Sequence, residues 1–446
     1  MKKQIWEIAF ALLSLLICAV LMLGMAVFGP SGAGANERLA GAPKLLVKEQ
    51  LNPELLSDTA DYLSDRFFLR QELITLRSRL MALLGSSAVE DVVLGRDGWL
   101  YYADTLEDYT GAAPLSEEAL ACAAENLALM QEYCRSLGAR FLFVPVPNKN
   151  SLYPEAMPAY TPAASRDLER FLSLLAEKGV PSVDLAALFA AREETLYFAH
   201  DSHWDARGAA LGADAINAAF GKPSDYFSGP FRAGNPHDGD LYAMLFPASA
   251  DPETDWDYVP GLRYTRAGSD TRPDSITIRT TGEGSGVLLA FRDSFGNSLY
   301  PYLADSFAQA CFSRATAYPL TQAAELGADF VLVELVERNL AYLLENIPVM
   351  PAPERVLPES AGSGGTLRLT GTSGGAAPEG CVLWEGTLPE TGVGPVVLRS
   401  GARSWEAFRL EGGRFAAYLP EDAAPEQVLF LRETDPLAWK AEILEG

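Results

Sequence analysis

The chain has 446 residues, 48% hydrophobic and 21% charged, which suits a globular protein with one large core and an appendage rather than a disordered chain. Its formal net charge of −24 argues against a nucleic-acid groove, which needs a basic stripe, and is more at ease with neutral glycans or soluble partners. The five cysteines (Cys18, Cys122, Cys134, Cys311 and Cys381) form no CxxC and no Cys/His cluster with zinc spacing, so neither a metal centre nor a cofactor is expected. Cys122 and Cys134 share one predicted helix and stand about 18 Å apart along it, beyond disulfide reach.

Lys2 and Lys3 precede an uncharged run from Ile8 to Phe28, long enough to cross a bilayer once. The flanking positive charges belong on the cytoplasmic side, which places everything after Phe28 outside. A cleaved signal peptide is the competing reading, with Ala33-Gly34-Ala35 as its processing site; the length of the run favours an uncleaved anchor. Both readings make the body of the protein extracytoplasmic. Pro30 to Ala42 reads as a flexible spacer.

From Asn52 to Leu84 the apolar residues recur at helical intervals. Val92 to Leu94, the Gly95-Arg96-Asp97-Gly98 turn and Trp99 to Tyr102 predict a β-hairpin. Helices are expected over Ser116–Leu137, Ser165–Lys178, Ala206–Phe220, Asn297–Ala308 and Asn339–Asn346. Between them, Phe141–Val146, a short stretch at Val183, Val287–Phe291 and Phe330–Val333 read as buried strands. Strands alternating with helices predict a parallel sheet covered on both faces, an α/β sandwich. After Pro351 the pattern changes. Pro351, Pro353, Pro358 and the Ser360–Gly365 stretch read as a linker, and the short alternating runs beyond it as a small all-β appendage.

Two segments carry the chemistry. The first is Phe198-Ala199-His200-Asp201-Ser202-His203-Trp204, which holds two of the three histidines; His237 is the third. The second is Phe291-Arg292-Asp293-Ser294-Phe295-Gly296-Asn297. Ser294 follows a buried strand and precedes a helix, so it stands at the carboxyl rim of the sheet, where ligands bind. Its own N–H, near a helix N-terminus, suits an oxyanion; equally, Asp293 or Ser294 serves simply as a helix cap. A serine nucleophile needs a base, and the base a partner that fixes its tautomer. Asp201 and His203, two apart in an extended stretch, point the same way and meet that need. A packed loop histidine, His200 as the base, and a metal held by His200, Asp201 and His203 are the alternatives.

Taken together, these segments resemble SGNH-like proteins of the alginate-acetylation type, including the group named for a DHHW motif. That motif is matched by His200-Asp201-Ser202-His203-Trp204, with Ser202 in place of its first histidine, and the nucleophile motif by Arg292-Asp293-Ser294-Phe295. Asp65–Arg70, Leu94–Tyr101, Pro147-Asn148-Lys149 with Tyr153-Pro154, Gly239-Asp240-Leu241 and Glu337–Leu340 match further parts in order. The resemblance implies a flavodoxin-like three-layer sandwich over residues 51–350. It would be flanked by a cytoplasmic stub and transmembrane anchor (1–29), linkers (30–50 and 351–365) and a small β-rich domain (366–446). It also implies the triad Ser294, His203 and Asp201. Arg292 and Asn148 become candidate oxyanion donors, and Tyr300 a candidate wall of the acyl pocket or a core residue. The implied reaction is acetyl transfer to hydroxyls of a secreted or cell-surface polysaccharide, with a multi-pass membrane O-acyltransferase as acetyl source. Acetyl-ester hydrolysis and a non-catalytic glycan-binding role are the competing functions; the latter would use Trp384 or Trp405, which serve equally well as core residues of a structural add-on.

Overall fold

The computed structural model describes residues 2–34, 38–158, 160–357, 362–375, 377–432 and 436–444. Ala35 of the candidate processing site, Pro358 and Ser360 of the expected second linker, and the side chains of Lys2 and Lys3 lie outside them. Helix α1 (Lys2–Phe28) is apolar on every side from Ile8 onward, with a mean hydropathy of 2.7 over Ile5–Phe28. At 1.5 Å per residue that stretch is about 36 Å long, more than the hydrocarbon thickness of a bilayer.

The helical pattern over 52–84 divides into α2 (Leu55–Arg66) and α3 (Arg70–Leu83). The break is at Leu69, whose backbone is left-handed (φ 63°), a conformation that a non-glycine residue adopts only when its surroundings demand it. Here the corner turns Phe68 onto α1. Its ring stacks on Phe28 at 5.0 Å, and it lies so close to Gly24 that a Cβ there would collide with it. The hairpin pairs Val92–Leu94 with Leu100–Tyr102, and Asp97 and Gly98 both take positive φ in its turn, as a tight hairpin turn requires.

Helix α4 (Glu117–Ser136) is capped by the Ser116 side chain, which accepts from the Ala119 N–H. The central sheet comprises β1 (Arg140–Val146), β2 (Tyr264–Arg266), β3 (Thr277–Gly282), β4 (Val287–Phe291), β5 (Gln309–Ser313) and β6 (Phe330–Val336), in the order β1-β6-β4-β5-β3-β2. β1, β6, β4 and β5 are mutually parallel, whereas β3 and β2 are antiparallel additions at one edge. The parallel sheet expected from the sequence thus forms over four strands and carries an antiparallel edge that the sequence does not predict. Only residues 283–286 join β3 to β4, too few for the crossover that a parallel return needs.

Alternation along the strands builds two cores. Phe141, Phe143, Leu289, Phe291, Val331 and Val333 pack with α4 on one face. Leu142, Val144, Leu288, Ala290 and Leu332 pack on the other with α5 (Ala206–Ala219) and α7 (Gly296–Ser306); the short α6 (Asp240–Leu245) lies between these two helices in the chain. The expected strand at Val183 is reduced to a single bridge between Phe143 and Ser182. The expected helix at 339–346 is a 3-10 segment, Glu337–Leu344.

Seven strands between Gly362 and Leu444 close into a barrel. Trp384 and Trp405 are buried in its interior beside Trp439, as core residues rather than sugar platforms. Residues 351–357 run along the barrel. Pro351 bridges to Tyr418 and Glu354 to Trp405, and Arg355 joins Glu132 of α4 (2.6 Å) to Glu406 of the barrel (2.5 Å).

Candidate active site

The turn after β4 presents Ser294. Asp293 anchors it: Oδ1 accepts from the Phe295 N–H (2.8 Å) and Oδ2 from the Val336 N–H at the end of β6 (2.7 Å). The Asp293 N–H donates to Glu334 (3.2 Å), whose carboxyl is pushed well up by burial and by Asp293 itself. The Ser294 N–H donates to no group among the described residues.

The histidine segment is a loop closed by the Tyr197–Trp204 bridge and by the Phe198 N–H donating to the His203 carbonyl (3.2 Å). Buried Lys149 fastens it from inside. Its Nζ donates to the carbonyls of Phe198 (3.0 Å), Ala199 (3.0 Å) and Asp201 (2.6 Å). It also faces the rings of Trp99 and Tyr101. Burial lowers its pKa to about 7.

Asp201 and His203 meet because the chain bends, not because it is extended. Asp201 Oδ1 accepts from both the His203 N–H (2.9 Å) and His203 Nδ1 (2.7 Å), an Asx-type turn. His203 Nε2 stands 2.8 Å from Ser294 Oγ. With Nδ1 donating to Asp201, the network assigns Nε2 as the acceptor of the serine proton.

Asp201 has a second set of partners. Its Oδ2 accepts from His237 Nε2 (2.8 Å) and from the Asp240 N–H (2.9 Å). Burial raises its pKa, but the bonds from His203 and His237 outweigh burial and hold it well below the usual carboxylate range. Burial opposes charge on His237 too, yet its bond to Asp201 raises its pKa. The ring stacks on Phe198 at 4.1 Å. Ser202 bonds Asp240 through its N–H (2.9 Å) and hydroxyl (2.8 Å), and burial, then Asp201, raise the Asp240 pKa. Gly239 is required here, since a Cβ would collide with the His200 carbonyl.

His200 turns away, its Nδ1 3.0 Å from the Asp251 carbonyl. The alternative metal set of His200, Asp201 and His203 is therefore not assembled. Ligand atoms of Asp201, His203 and Asp240 do lie within 4.8 Å of one another, but their hydrogen bonds to one another and to Ser202 already engage them.

Ser294 and His203 open into a cavity of about 1120 Å³, whose walls include Asn297, Arg314 and Arg338. The Arg338 guanidinium lies over the rings of Tyr102 (5.3 Å) and Phe295 (5.6 Å). It makes no hydrogen bond or ion pair within the described residues. The Phe295 ring also packs 4.6 Å from the His203 ring.

The three remaining sequence candidates are not on the cavity wall. Arg292 is spent on the carbonyls of Pro273 (2.6 Å) and Asp293 (3.1 Å) and on Asn297 Oδ1 (2.6 Å), and burial lowers its pKa to about 10. Its effect on the site is to orient Asn297. Asn148 is buried at the end of β1, with its N–H on Glu337 (2.8 Å). Tyr300 packs against Phe312 and Tyr264, because its position on α7 faces the core. Lys149, His237, Asp240 and Arg338, by contrast, shape the site without having been singled out for a role. Three of them lie in segments that carry the family likeness.

The chain thus contains an SGNH-like domain between an apolar N-terminal helix and a C-terminal β-barrel. Residues 92–275 match the family model for the SGNH hydrolase-like domain of the acetyltransferase AlgX; Ser294 lies beyond the matched stretch. The probable alginate O-acetylase AlgJ of Pseudomonas syringae pv. tomato is 30% identical over 209 residues, 44% of this chain and 51% of that protein. The chain spans about half the length of the curated relatives it matches. The solved structures similar to this chain include an O-acetyltransferase domain and a DHHW family protein. The O-acetyltransferase domain of Pseudomonas putida AlgJ has a TM-score of 0.39 and 22% identity, covering 57% of this chain and 93% of that one. A DHHW family protein from Eubacterium siraeum has a TM-score of 0.42 and 20% identity, covering 58% of this chain and 99% of that one.

Proposed function

We propose that this protein is an extracytoplasmic serine-dependent O-acetyltransferase, anchored by α1, that places acetyl groups on hydroxyls of a secreted or cell-surface polysaccharide. In this reading the mixed sheet and its two helical layers are the SGNH-type sandwich, residues 51–350 the catalytic domain and residues 366–446 the appended β domain. One observation carries the chemistry: the line Asp201–His203–Ser294, with contacts of 2.7 and 2.8 Å.

His203 Nε2 takes the Ser294 proton as Oγ attacks the acetyl carbonyl, while Asp201 steadies the imidazolium that forms. The oxyanion is met by the free Ser294 N–H and by Arg338, in place of Asn148 and Arg292. The donor alcohol leaves with the proton from His203, so Ser294 holds the acetyl group as an ester. A sugar hydroxyl enters, gives its proton to the same nitrogen as it attacks the acetyl carbonyl, and departs acetylated as the bond to Ser294 Oγ breaks and Oγ takes the proton back from His203. The acetyl source is proposed to be a multi-pass membrane O-acyltransferase. The match to AlgX and AlgJ supports a polysaccharide acceptor.

The test is labelling of the full chain by a serine-directed fluorophosphonate, read by peptide mapping, together with turnover of an acetyl ester with and without oligosaccharide. Label on Ser294, lost in Ser294→Ala, and acetyl appearing on the sugar are expected. An unlabelled Ser294 removes the acyl-enzyme. Acetate release unaffected by the sugar makes the protein an esterase.

A further inference from the structure

The amphipathic character of α3 is inverted relative to a helix that packs on a core. Leu73, Leu76, Leu80 and Leu83 are all exposed, with Leu80 at 56% and Leu83 at 83%. Spaced by four and three residues, they form one stripe at 3.6 residues per turn. The opposite face meets the protein: Thr75 Oγ1 accepts from the Ala248 N–H (2.9 Å) and Ser78 is buried. Gln71, Ile74 and Arg77, also away from the centre of the stripe, line the cavity that holds Ser294. A contiguous apolar stripe left to water is uncommon on a soluble surface.

The structure indicates what covers it. α3 starts two residues after Phe68, and Phe68 is stacked on Phe28, the last residue of the apolar helix α1. The Ser31 N–H donates to the Arg66 carbonyl (2.9 Å), and Gln71 Nε2 to the Gly32 carbonyl (2.9 Å). The leucine stripe therefore begins where α1 leaves the hydrocarbon. Charge agrees: α3 carries Arg70, Arg77 and Arg79 against the single acid Glu72, in a chain whose net charge is −24. Basic residues flanking an apolar stripe are the pattern of a helix lying in the headgroup boundary of a bilayer.

We propose that α3 lies in the outer surface of the membrane, its leucines in the lipid and its other face walling the Ser294 cavity, so that the cavity is held at the bilayer surface. This rests on the reading of α1 as a membrane span. The geometry suits an acyl donor delivered from within the membrane.

The experiment uses the full chain in vesicles of phosphatidylglycerol and phosphatidylethanolamine. A nitroxide is attached at single sites: native Cys18 in a Cys381→Ser background, and Leu73→Cys, Leu76→Cys, Leu80→Cys or Glu72→Cys in a Cys18→Ser/Cys381→Ser background. Collision rates with oxygen and with a water-soluble nickel chelate are compared. Expected are oxygen-dominated collisions at 73, 76 and 80, nickel-dominated collisions at 72, and loss of nickel access at Cys18. Nickel access at 73, 76 and 80 with Cys18 shielded overturns the proposal while leaving the anchor standing. Nickel access at Cys18 itself removes the anchor. A label at 76 and 80 shielded from both reagents and immobilised means that a protein, a second copy or a partner, covers the stripe, and likewise overturns the proposal.

Discussion

At the scale of single residues, the unusual feature is one carboxylate serving two imidazoles. Asp201 stays ionised across the range in which histidines titrate, because its partners hold its pKa well below the ordinary value. Loss of activity on acidification is therefore expected to follow imidazole protonation, since His203 must be neutral to accept the serine proton. His237, whose pKa is raised, gains its charge early as the pH falls. Its charge then partly cancels that of Asp201, which it contacts at 2.8 Å. In His237→Ala the Asp201 charge is no longer shared with a second imidazole, and the acid limb of the pH–rate profile is expected to move upward. A profile of ester turnover for the two proteins checks this; an unmoved limb would show that His237 is electrostatically silent. Asp201, His203 and Ser294 are legible as candidates because so few histidines exist and because each segment follows a recognisable pattern. His237 and Asp240 are not legible in the same way: their link to Asp201 spans 36 and 39 positions and leaves no periodic trace. Arg292 misleads by its closeness to Ser294 in the chain, when its guanidinium is drawn to carbonyls behind the turn.

At the scale of elements, strands and long helices are readable because burial on both faces gives continuous apolar runs, and because Ser116 and Gly179 mark helix ends. The divided helix at Leu69 and the antiparallel edge of the sheet are not, since one depends on where Phe68 packs and the other on a short connection. The 198–203 loop is the sharpest case. Its shape comes from Lys149, about fifty residues upstream, filling three carbonyls that would otherwise be buried without a donor. Replacing it by a methionine of similar reach keeps the apolar stem and removes every donor. An unsatisfied buried carbonyl costs roughly 1–3 kcal/mol, and the loss over three of them is partly offset because an amine whose burial already lowers its pKa to about 7 is no longer buried. Lys149→Met is expected to lower stability by about 3 kcal/mol in a denaturant titration. Its ester turnover should fall further than its folded fraction does, because Asp201 is one of the three carbonyl positions. A variant with native midpoint and native rate would show that the loop holds its shape unaided.

At the scale of the whole molecule, the barrel is not hung on a free tether. Phe408, Leu410, Ala416 and Tyr418 belong to the same core as α4 and its face of the sheet. Across that junction, buried Asn126 on α4 gives its Nδ2 to the carbonyls of Leu343 (3.0 Å) and Arg409 (2.7 Å) and accepts from the Arg409 N–H (3.0 Å). Composition alone reads the stretch after Pro351 as a linker because prolines and glycines dominate it; the bridges of Pro351 and Glu354 to the barrel depend on the closed sheet and are invisible locally. Ending the chain at residue 350 would strip these side chains from α4 and leave Asn126 with one partner of three. Uncovering two large apolar side chains costs about 3–6 kcal/mol, a large part of the 5–15 kcal/mol that typically holds a protein folded. The shortened protein is therefore expected to aggregate or to unfold at a clearly lower temperature, and the full chain to unfold its sheet and barrel in one transition. Size-exclusion chromatography and calorimetry of the two proteins distinguish the cases. A monomeric truncation with an unchanged midpoint would mean that the shared core contributes nothing the SGNH-like unit needs, and that the barrel is there for what it binds.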